Sequence, residues 1–419
     1  MSEEKNKFQE NAKIIKIRDY LLETYDFRHN TVTQRLEFRQ RGEADYVDFD
    51  NRFKSDLIIE LKTLKFNKPK EDLDDILNSS IIPIYSPISE YFENIEYKGT
   101  GFIKQLTDLI VLEDLKLRLN KPYHDMFEEY FKKWLTACYL CATNKSINDV
   151  MLILIGGQGL YKTTFLNYLI PEELKEYRVC SHINPSLSDY NTASYLAEKF
   201  MINIDDQMEN IFGKDYNSMK AIISAPDVSM RKLYKSDHKR RLRIANFCGS
   251  VNEPKFLRDS TNRRYLCFQI KSIDKTYIDI DINALWAEIK HEADKLKSYY
   301  IWGRNEFEEI EILNEHFSSP TIGEENLKSL FVPADEDDND DVIFLTYAEI
   351  IKLLRIYSGD NNIKEYEVKT AMRKFKYKSF NKRLRRFKDP RSVYAVKLAN
   401  YEQIAYTLIS PYRENETEF

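Results

Sequence analysis

Residues 152–165, LILIGGQGLYKTTF, constrain the fold of this chain more than any other segment. The apolar run over residues 150–155 predicts a strand buried on both faces, as strands of parallel sheets are. Such a strand needs a crossover connection and covering helices, which places the chain in the α/β class. Gly156, Gly157 and Gly159 then permit backbone angles that turn several N–H groups toward one point. Lys162 brings a charge to that point, and Thr163 and Thr164 open a helix. Apolar runs recur at 200–204 and 244–248 with helical patterns between them, so a parallel sheet with helices packed over it is expected.

The glycine loop nearly meets the pattern G-x-x-x-x-G-K-[ST], in which backbone N–H groups cradle phosphates. Gly156, Gly157, Gly159, Tyr161, Lys162, Thr163 and Thr164 form the expected ATP-binding set. Lys162 would neutralise the β- and γ-phosphates and Thr163 would ligate Mg²⁺. Tyr161 stands where the pattern has its second glycine, so its side chain must point out of the loop. In KFMINIDDQ an apolar strand ends in Asp205 and Asp206. The first carboxylate suits the hydrated metal ion, and a second acidic group can orient the attacking water. A third block, IANFCGSVNEPKFLRDSTNRRYLCFQI, ends a strand near Asn252, a candidate phosphate sensor between the first two strands. It also carries Arg263 and Arg264 in a polar turn, from which an arginine could reach a phosphate on its own subunit or on a neighbour's.

Four blocks in this order, GGQGLYKTT, INIDDQ, MKAIISAPDVSMRKLYK and CGSVNEPKFLRDSTNRRY, resemble those of superfamily 3 DNA helicases. They are closer to virulence-associated protein E-like ATPases and the plasmid or phage primase-helicases of mobile elements. In those families a Lys, a small-residue turn with Asp and a basic-aromatic tail lie between the acidic strand and the sensor asparagine. Lys220, Asp227, Arg231 and Tyr234 match here. The resemblance covers about residues 150–270. It implies a P-loop, AAA+-like core with a helical N-terminal collar and a C-terminal winged-helix-like domain, in an ATP-dependent, Mg²⁺-dependent oligomer, expected to be a hexamer. Ser224-Ala225-Pro226 replaces the glycine-rich turn usual in plasmid primase-helicases, and the first 80 residues are too short for a polymerase-type primase domain.

With 419 residues the chain exceeds the size at which one core keeps growing, so several packed units are expected. Residues 1–80 read as a small α+β unit, with a helix over 8–26 and a hairpin from TVTQRLEF and DYVDFD. Residues 81–145 read as a helical collar that includes FIKQLTDLIVLEDL, 146–275 as the ATPase core and 276–333 as helical. The acidic run ADEDDNDD, 334–341, reads as a linker, and 342–419 as helix, helix and hairpin, opened by a Thr346 to Glu349 capping box. Cys138 and Cys141 form a CxxC with no second ligand pair, the pattern of reduced core thiols. No run reaches the roughly 20 apolar residues of a spanning helix, and the start lacks a secretory signal, so a cytoplasmic protein without a membrane partner is expected.

Net charge is −5, yet the cations are concentrated. Arg231, Lys232, Lys235, Lys239, Arg240, Arg241 and Arg243 crowd one segment around Tyr234, where with Lys220 they could follow single-stranded DNA through a ring. A second patch over 373–391 includes Lys382, Arg383, Arg385 and Arg386, placed for duplex DNA on the expected hairpin. These readings add up to an ATP-dependent DNA helicase or translocase serving replication of a mobile genetic element. The alternative is a DNA-binding protein whose P-loop acts as a switch or is inert, with Tyr161 as the reason.

Overall fold

The computed structural model describes residues 2–117, 119, 121–180, 183–205, 211, 215–231, 238–257, 262–335, 338, 341–400 and 403–413. It is a mixed α/β structure of two compact units, Met1–Pro254 with Arg263–Asn314, and Lys255–Asn262 with Glu315–Phe419. Among the described residues no helix is long and apolar enough to cross a membrane.

The first unit opens with the helix Ser2–Thr24, then β1 (Tyr25–Asn30), β2 (Arg35–Gln40) and β3 (Val47–Asp48). The helix stops short of the expected position 26 because YDFRHN alternates, burying Phe27 while Asp26 and Arg28 meet the arginines and carboxylates of β2. β1 pairs antiparallel with β2, parallel with β4 (Ile84–Tyr85), and the sheet order is β3-β2-β1-β4. Phe27, Phe38, Leu57, Leu61 and Leu73 form its core with the helices Asn51–Thr63 and Pro69–Leu77.

The expected helix through 102–115 ends at Asp108, and Ile110–Leu112 is an edge strand, β5. Its short β-branched run pairs antiparallel with the last strand of the main sheet, which supplies hydrogen bonds that a further helical turn would not need. The helix Phe102–Asp108 has no side-chain cap of its own. Buried Glu288 caps it instead, accepting from the N–H groups of Gly101, Phe102 and Ile103.

The main sheet is built from β6 (Met151–Ile155), β7 (Arg178–Cys180), β8 (Met201–Ile204), β11 (Asn246–Val251) and β12 (Tyr265–Ile273), with β5 at its edge. Between β8 and β11 the chain forms a separate antiparallel ribbon of β9 (Asp227–Arg231) and β10 (His238–Leu242). Sheet order is β5-β12-β6-β11-β8-β7, parallel throughout except at β5. Every residue of β6, β8 and β11 is buried, as in strands covered on both faces. The helix Lys162–Tyr168 is fixed beneath the loop by Phe165, fully buried with its ring 6.3 Å from Phe131 and 5.4 Å from Tyr277. Trp286 of the helix Ile282–Asp294 donates its indole N–H to Leu169 O at 2.8 Å. Burying an aromatic side chain of this kind stabilises by about 1.5–3 kcal/mol, so the loop's anchor is firm.

In the second unit β13 (Phe331–Pro333), β14 (Ile343–Leu345) and β15 (Ser379–Lys382) all pair with β16 (Arg391–Leu398). The helix Tyr347–Ser358 begins with the Thr346 to Glu349 capping box, and the helix Glu365–Lys374 follows. A last helix, Gln403–Arg413, has no counterpart in the sequence reading. The acidic run connects β13 to β14 within this one sheet, so the unit's core begins upstream of it, with Leu327 and Leu330.

Candidate functional site

Parallel strands place their C-terminal ends together, and here that brings three separated sequence blocks to one edge of the sheet. β6 leads into the glycine loop, β8 into Asp205 and β11 to Asn252. β11 lies between β6 and β8, so Asn252 sits between the loop and the carboxylate, as the sequence reading expects.

The loop's backbone is tightly specified. A Cβ on Gly156 would lie 2.7 Å from Ile270 O and 2.9 Å from Leu160 Cδ1, so only glycine lets β12 approach. Gly159 has φ +84. Tyr161 also lies in the left-handed region, with φ 60 and ψ 21, where a glycine would be unstrained. Its ring points outward, 47% exposed, beneath the ammonium of Lys275 at 4.1 Å from the centroid, and its hydroxyl accepts from Lys275 Nζ at 2.8 Å.

Lys162 is buried, and its Nζ donates to Gly156 O at 2.7 Å, Gly157 O at 2.8 Å and Asn252 Oδ1 at 3.1 Å. Thr163 Oγ1 donates to Asp205 Oδ1 at 2.7 Å, and Ser250 Oγ donates to the same oxygen at 2.9 Å. Thr164 is exposed on the first turn of the helix. A buried ammonium beside oxygen donors of this kind can hold a phosphate, and the Thr163 and Asp205 oxygens are the hard donors that a Mg²⁺ ion takes. Asp206 lies outside the described residues.

Ser250 and Asn203 were not singled out from the sequence. Buried Asn203 donates to Asn167 Oδ1 at 3.0 Å and to Thr163 O at 3.5 Å, tying β8 to the loop's helix. The signal was present: Asn203 and Asp205, and Ser250 and Asn252, are polar residues two apart at the ends of apolar strands, hence on one face. Lys275 carried no such signal.

The arginine pair is elsewhere. Met151 N donates to Arg264 O at 2.8 Å and Tyr265 registers with Met151, so Arg263 and Arg264 enter β12 at the opposite end of the sheet from the glycine loop. Arg264 Nε donates to Ser224 Oγ, and the Arg263 guanidinium lies 4.9 Å over Phe307. Burial pushes the Asp149 carboxyl up from its ordinary range, and Arg243, Arg264 and Arg263 in that order favour its charged form.

Of the residues expected on DNA, Lys220 lies over the Tyr216 ring at 4.3 Å. Arg240 pairs with Asp227 at 2.6 Å across the β9–β10 ribbon. Arg241 turns inward, to Glu198 at 2.8 Å, Ala197 O at 3.2 Å and Val32 O. Lys232, Tyr234 and Lys235 lie outside the described residues, as do the side chains of Arg231 and Lys239. In the second unit Arg383 and Arg385 are exposed, Lys382 lies 3.6 Å over Phe344, and Arg386 is held inside. Its guanidinium donates to both carboxylate oxygens of Glu349, at 2.9 and 3.1 Å, and each side chain is about one-seventh exposed (14%/15%). Cys138 and Cys141 are buried in the helix Tyr123–Ala142, and burial pushes the Cys138 thiol well above its ordinary value.

Residues 96–319 match the family described as virulence-associated protein E-like domain. The chain belongs to that family. The matched span contains all six strands of the main sheet together with the glycine loop, Asp205, Asn252 and both arginines. No curated protein matches. Two solved structures similar to this chain are the apo structure of the NrS-1 C-terminal region and the A form apo structure of the same region. Each is 13% identical with a TM-score of 0.47 over 91% of this chain, covering 98% and 99% of theirs.

Proposed function

We propose that this virulence-associated protein E-like chain is an ATP-hydrolysing P-loop motor on DNA, serving replication of a mobile genetic element. The observation that carries the reading is convergence. Lys162, Thr163, Asp205 and Asn252 come from three strands and meet through hydrogen bonds of 3.1 Å or less. The order β12-β6-β11-β8-β7, with the sensor strand beside the P-loop strand, supports an AAA+-like core. The succession of helix, helix and hairpin supports a winged-helix-like second unit.

Lys162 would exchange its neutral carbonyl partners for phosphate oxygens, a stronger charge-assisted contact. Thr163 and Asp205 would hold Mg²⁺ through their paired oxygens, and the ion, when bound, neutralises charge on the β- and γ-phosphates. Among the described residues no group of three or more His, Cys, Asp or Glu is placed to hold a metal ion. That suits Mg²⁺, which keeps waters and substrate oxygens rather than a full protein cage. Ser250 orients Asp205, Asn252 is freed from Lys162 to face the terminal phosphate, and Asp206 is assigned to orienting water.

Arg263 and Arg264 lie too far along the sheet to serve their own loop, which favours action on a neighbouring copy in a ring, with six copies expected. The β9–β10 ribbon would then face single-stranded DNA, and Arg383 and Arg385 duplex DNA. A second reading, a P-loop used as a switch without turnover, draws on Tyr161 and its clasp by Lys275. Phosphate release with and without single-stranded DNA, in the wild type and in Lys162→Ala, separates the two. Turnover abolished by Lys162→Ala supports the motor, and no turnover in the wild type supports the switch.

A further inference from the structure

The acidic run leaves and re-enters one sheet at the same residue. Pro333 on β13 and Ile343 on β14 both register with Val396, on the two sides of β16, so the chain passes from one side of that strand to the other through an acidic arch of which Ala334, Asp335, Asp338, Asp341 and Val342 are described. Three carboxylates of the arch meet cations of three different segments. Asp335 pairs with Lys378 at 2.7 Å, before β15; Asp338 with Lys397 at 3.1 Å, on β16; Asp341 with Arg413 at 3.0 Å, on the last helix. Lys378 and Lys397 belong to the hairpin whose far end carries Arg383 and Arg385.

Two properties make this contact exchangeable. The Asp335–Lys378 pair is open to water, each side chain about two-thirds exposed (65% and 64%), and Asp338 and Asp341 are each 45% exposed against the more covered Lys397 and Arg413, so that ion pairs of this exposure hold the chain weakly. The carboxylates of Asp335, Asp338 and Asp341 also offer these cations what phosphates offer, at lower charge density.

We propose that the acidic arch is an internal competitor of duplex DNA: it occupies Lys378, Lys397 and Arg413 in the free protein and is displaced when DNA binds. This rests on the reading of the second unit as a DNA-binding module. The arch sets a threshold, so that only a duplex able to engage the exposed Arg383 and Arg385 recruits the carboxylate-paired cations as well.

The test is the salt dependence of binding of the full-length protein to a short labelled duplex. Asp335→Asn, Asp338→Asn and Asp341→Asn together keep side-chain shape and remove the competing charge. In the wild type each phosphate that takes one of these cations leaves a carboxylate unpaired, so the exchange releases little net salt. In the triple-Asn protein three uncompensated contacts steepen the slope of log affinity against log salt by about 2.7, and the variant's advantage shrinks about 40-fold between about 50 and 200 mM salt. Lys378→Gln with Lys397→Gln should leave the wild-type slope unchanged and remove most of the gain in the triple-Asn protein. A unit melting temperature unchanged in the triple-Asn protein shows that folding is intact. Wild-type binding that depends on Arg383 and Arg385, with no steeper slope in the triple-Asn protein, overturns the arch alone. A slope gain that survives loss of both lysines overturns it too, since general charge then explains the gain. Binding that ignores Arg383 and Arg385 in both proteins overturns the DNA-binding reading, and the arch with it.

Discussion

Lys162 and Arg264 stand at opposite ends of neighbouring parallel strands. Arg264 O receives the first hydrogen bond of β6 from Met151 N, whereas Lys162 follows the loop beyond Ile155 at the other end. Four strand steps at roughly 3.3 Å separate the two edges by about 13 Å before the loop is counted. An arginine side chain cannot span that.

If either arginine serves the proposed motor, the site is shared between copies. Lys162→Ala and Arg264→Ala should each be inactive alone, while a mixture of the two that exchanges subunits regains part of the turnover at interfaces holding both intact halves. Phosphate release against mixing ratio measures it. Flat inactivity in mixtures proven to exchange would remove Arg264 from the neighbour's site, and the same assay with Arg263→Ala decides between the two arginines.

Ser250→Ala should lower turnover about 10–100-fold, the usual effect of removing a residue that orients a metal-ligating carboxylate. The expected signature is a rightward shift of the Mg²⁺ dependence, since Asp205 loses the hydroxyl that donates to it at 2.9 Å. An unchanged Mg²⁺ curve would leave Ser250 with a packing role only.

How much of this site could be read beforehand depended on where each partner lay along the chain. The glycine loop, Asp205 and Asn252 were legible because each chemical role occupies a short contiguous motif. Ser250 was not, because its partner Asp205 is 45 residues away and only the parallel register brings them together. Ile110–Leu112 was read as helix because a short apolar run has no period of its own, and the edge of β12 decides its state. Arg386 was grouped with DNA contacts because a run of cations does not reveal direction; Glu349, fixed by its capping box, draws that one inside.

Tyr161 allows a stability test with a clear ordering. Tyr161→Gly relieves a left-handed strain of about 1–2 kcal/mol while adding unfolded-chain freedom worth about 0.4–1 kcal/mol and losing the Lys275 contact, about 0.5–1 kcal/mol. The sum is near zero. Tyr161→Ala keeps the strain and loses the contact, so it should melt lower than both wild type and Tyr161→Gly in nucleotide-free protein. Alanine at or above glycine would show that the loop relaxes out of φ 60.

Arg386 and the exposed arginines should separate by readout. Arg386→Ala removes charge-assisted hydrogen bonds to the largely buried Glu349 and should destabilise the second unit by about 1.5–3 kcal/mol. Arg383→Ala with Arg385→Ala should weaken DNA binding with no change in melting. Burial pushes Glu349 up, but Arg386 and Thr346 outweigh it and hold the carboxyl below its ordinary value. A lowered carboxylate stabilises the fold above the unfolded value of 4.5, and that contribution is lost as pH falls through the lower folded value. The destabilisation by Arg386→Ala should therefore be full at neutral pH and fade below about pH 4.5. A pH-independent difference in melting would show that the arginine acts through packing alone.

The boundary of the second unit can be tested by truncation. A fragment beginning at 342 loses Leu327, Leu330 and Phe331, all at most 1% exposed and part of one buried cluster with Ile343, Leu345, Val396 and Leu398. It also strips β13 from β16 and separates Lys374 from Glu324. Three such side chains contribute about 5–9 kcal/mol together, comparable with the whole stability of a small domain at about 5–15 kcal/mol. Residues 342–419 alone should be unfolded, while 315–419 should melt cooperatively. Phe256 and Leu257 pair with residues 317–319 outside that cluster, so removing them should cost much less. Circular dichroism melting of the two fragments decides the matter. A cooperative transition in 342–419 would mean that β14, β15 and β16 close a core without β13, and that the acidic run marks the start of the folded unit.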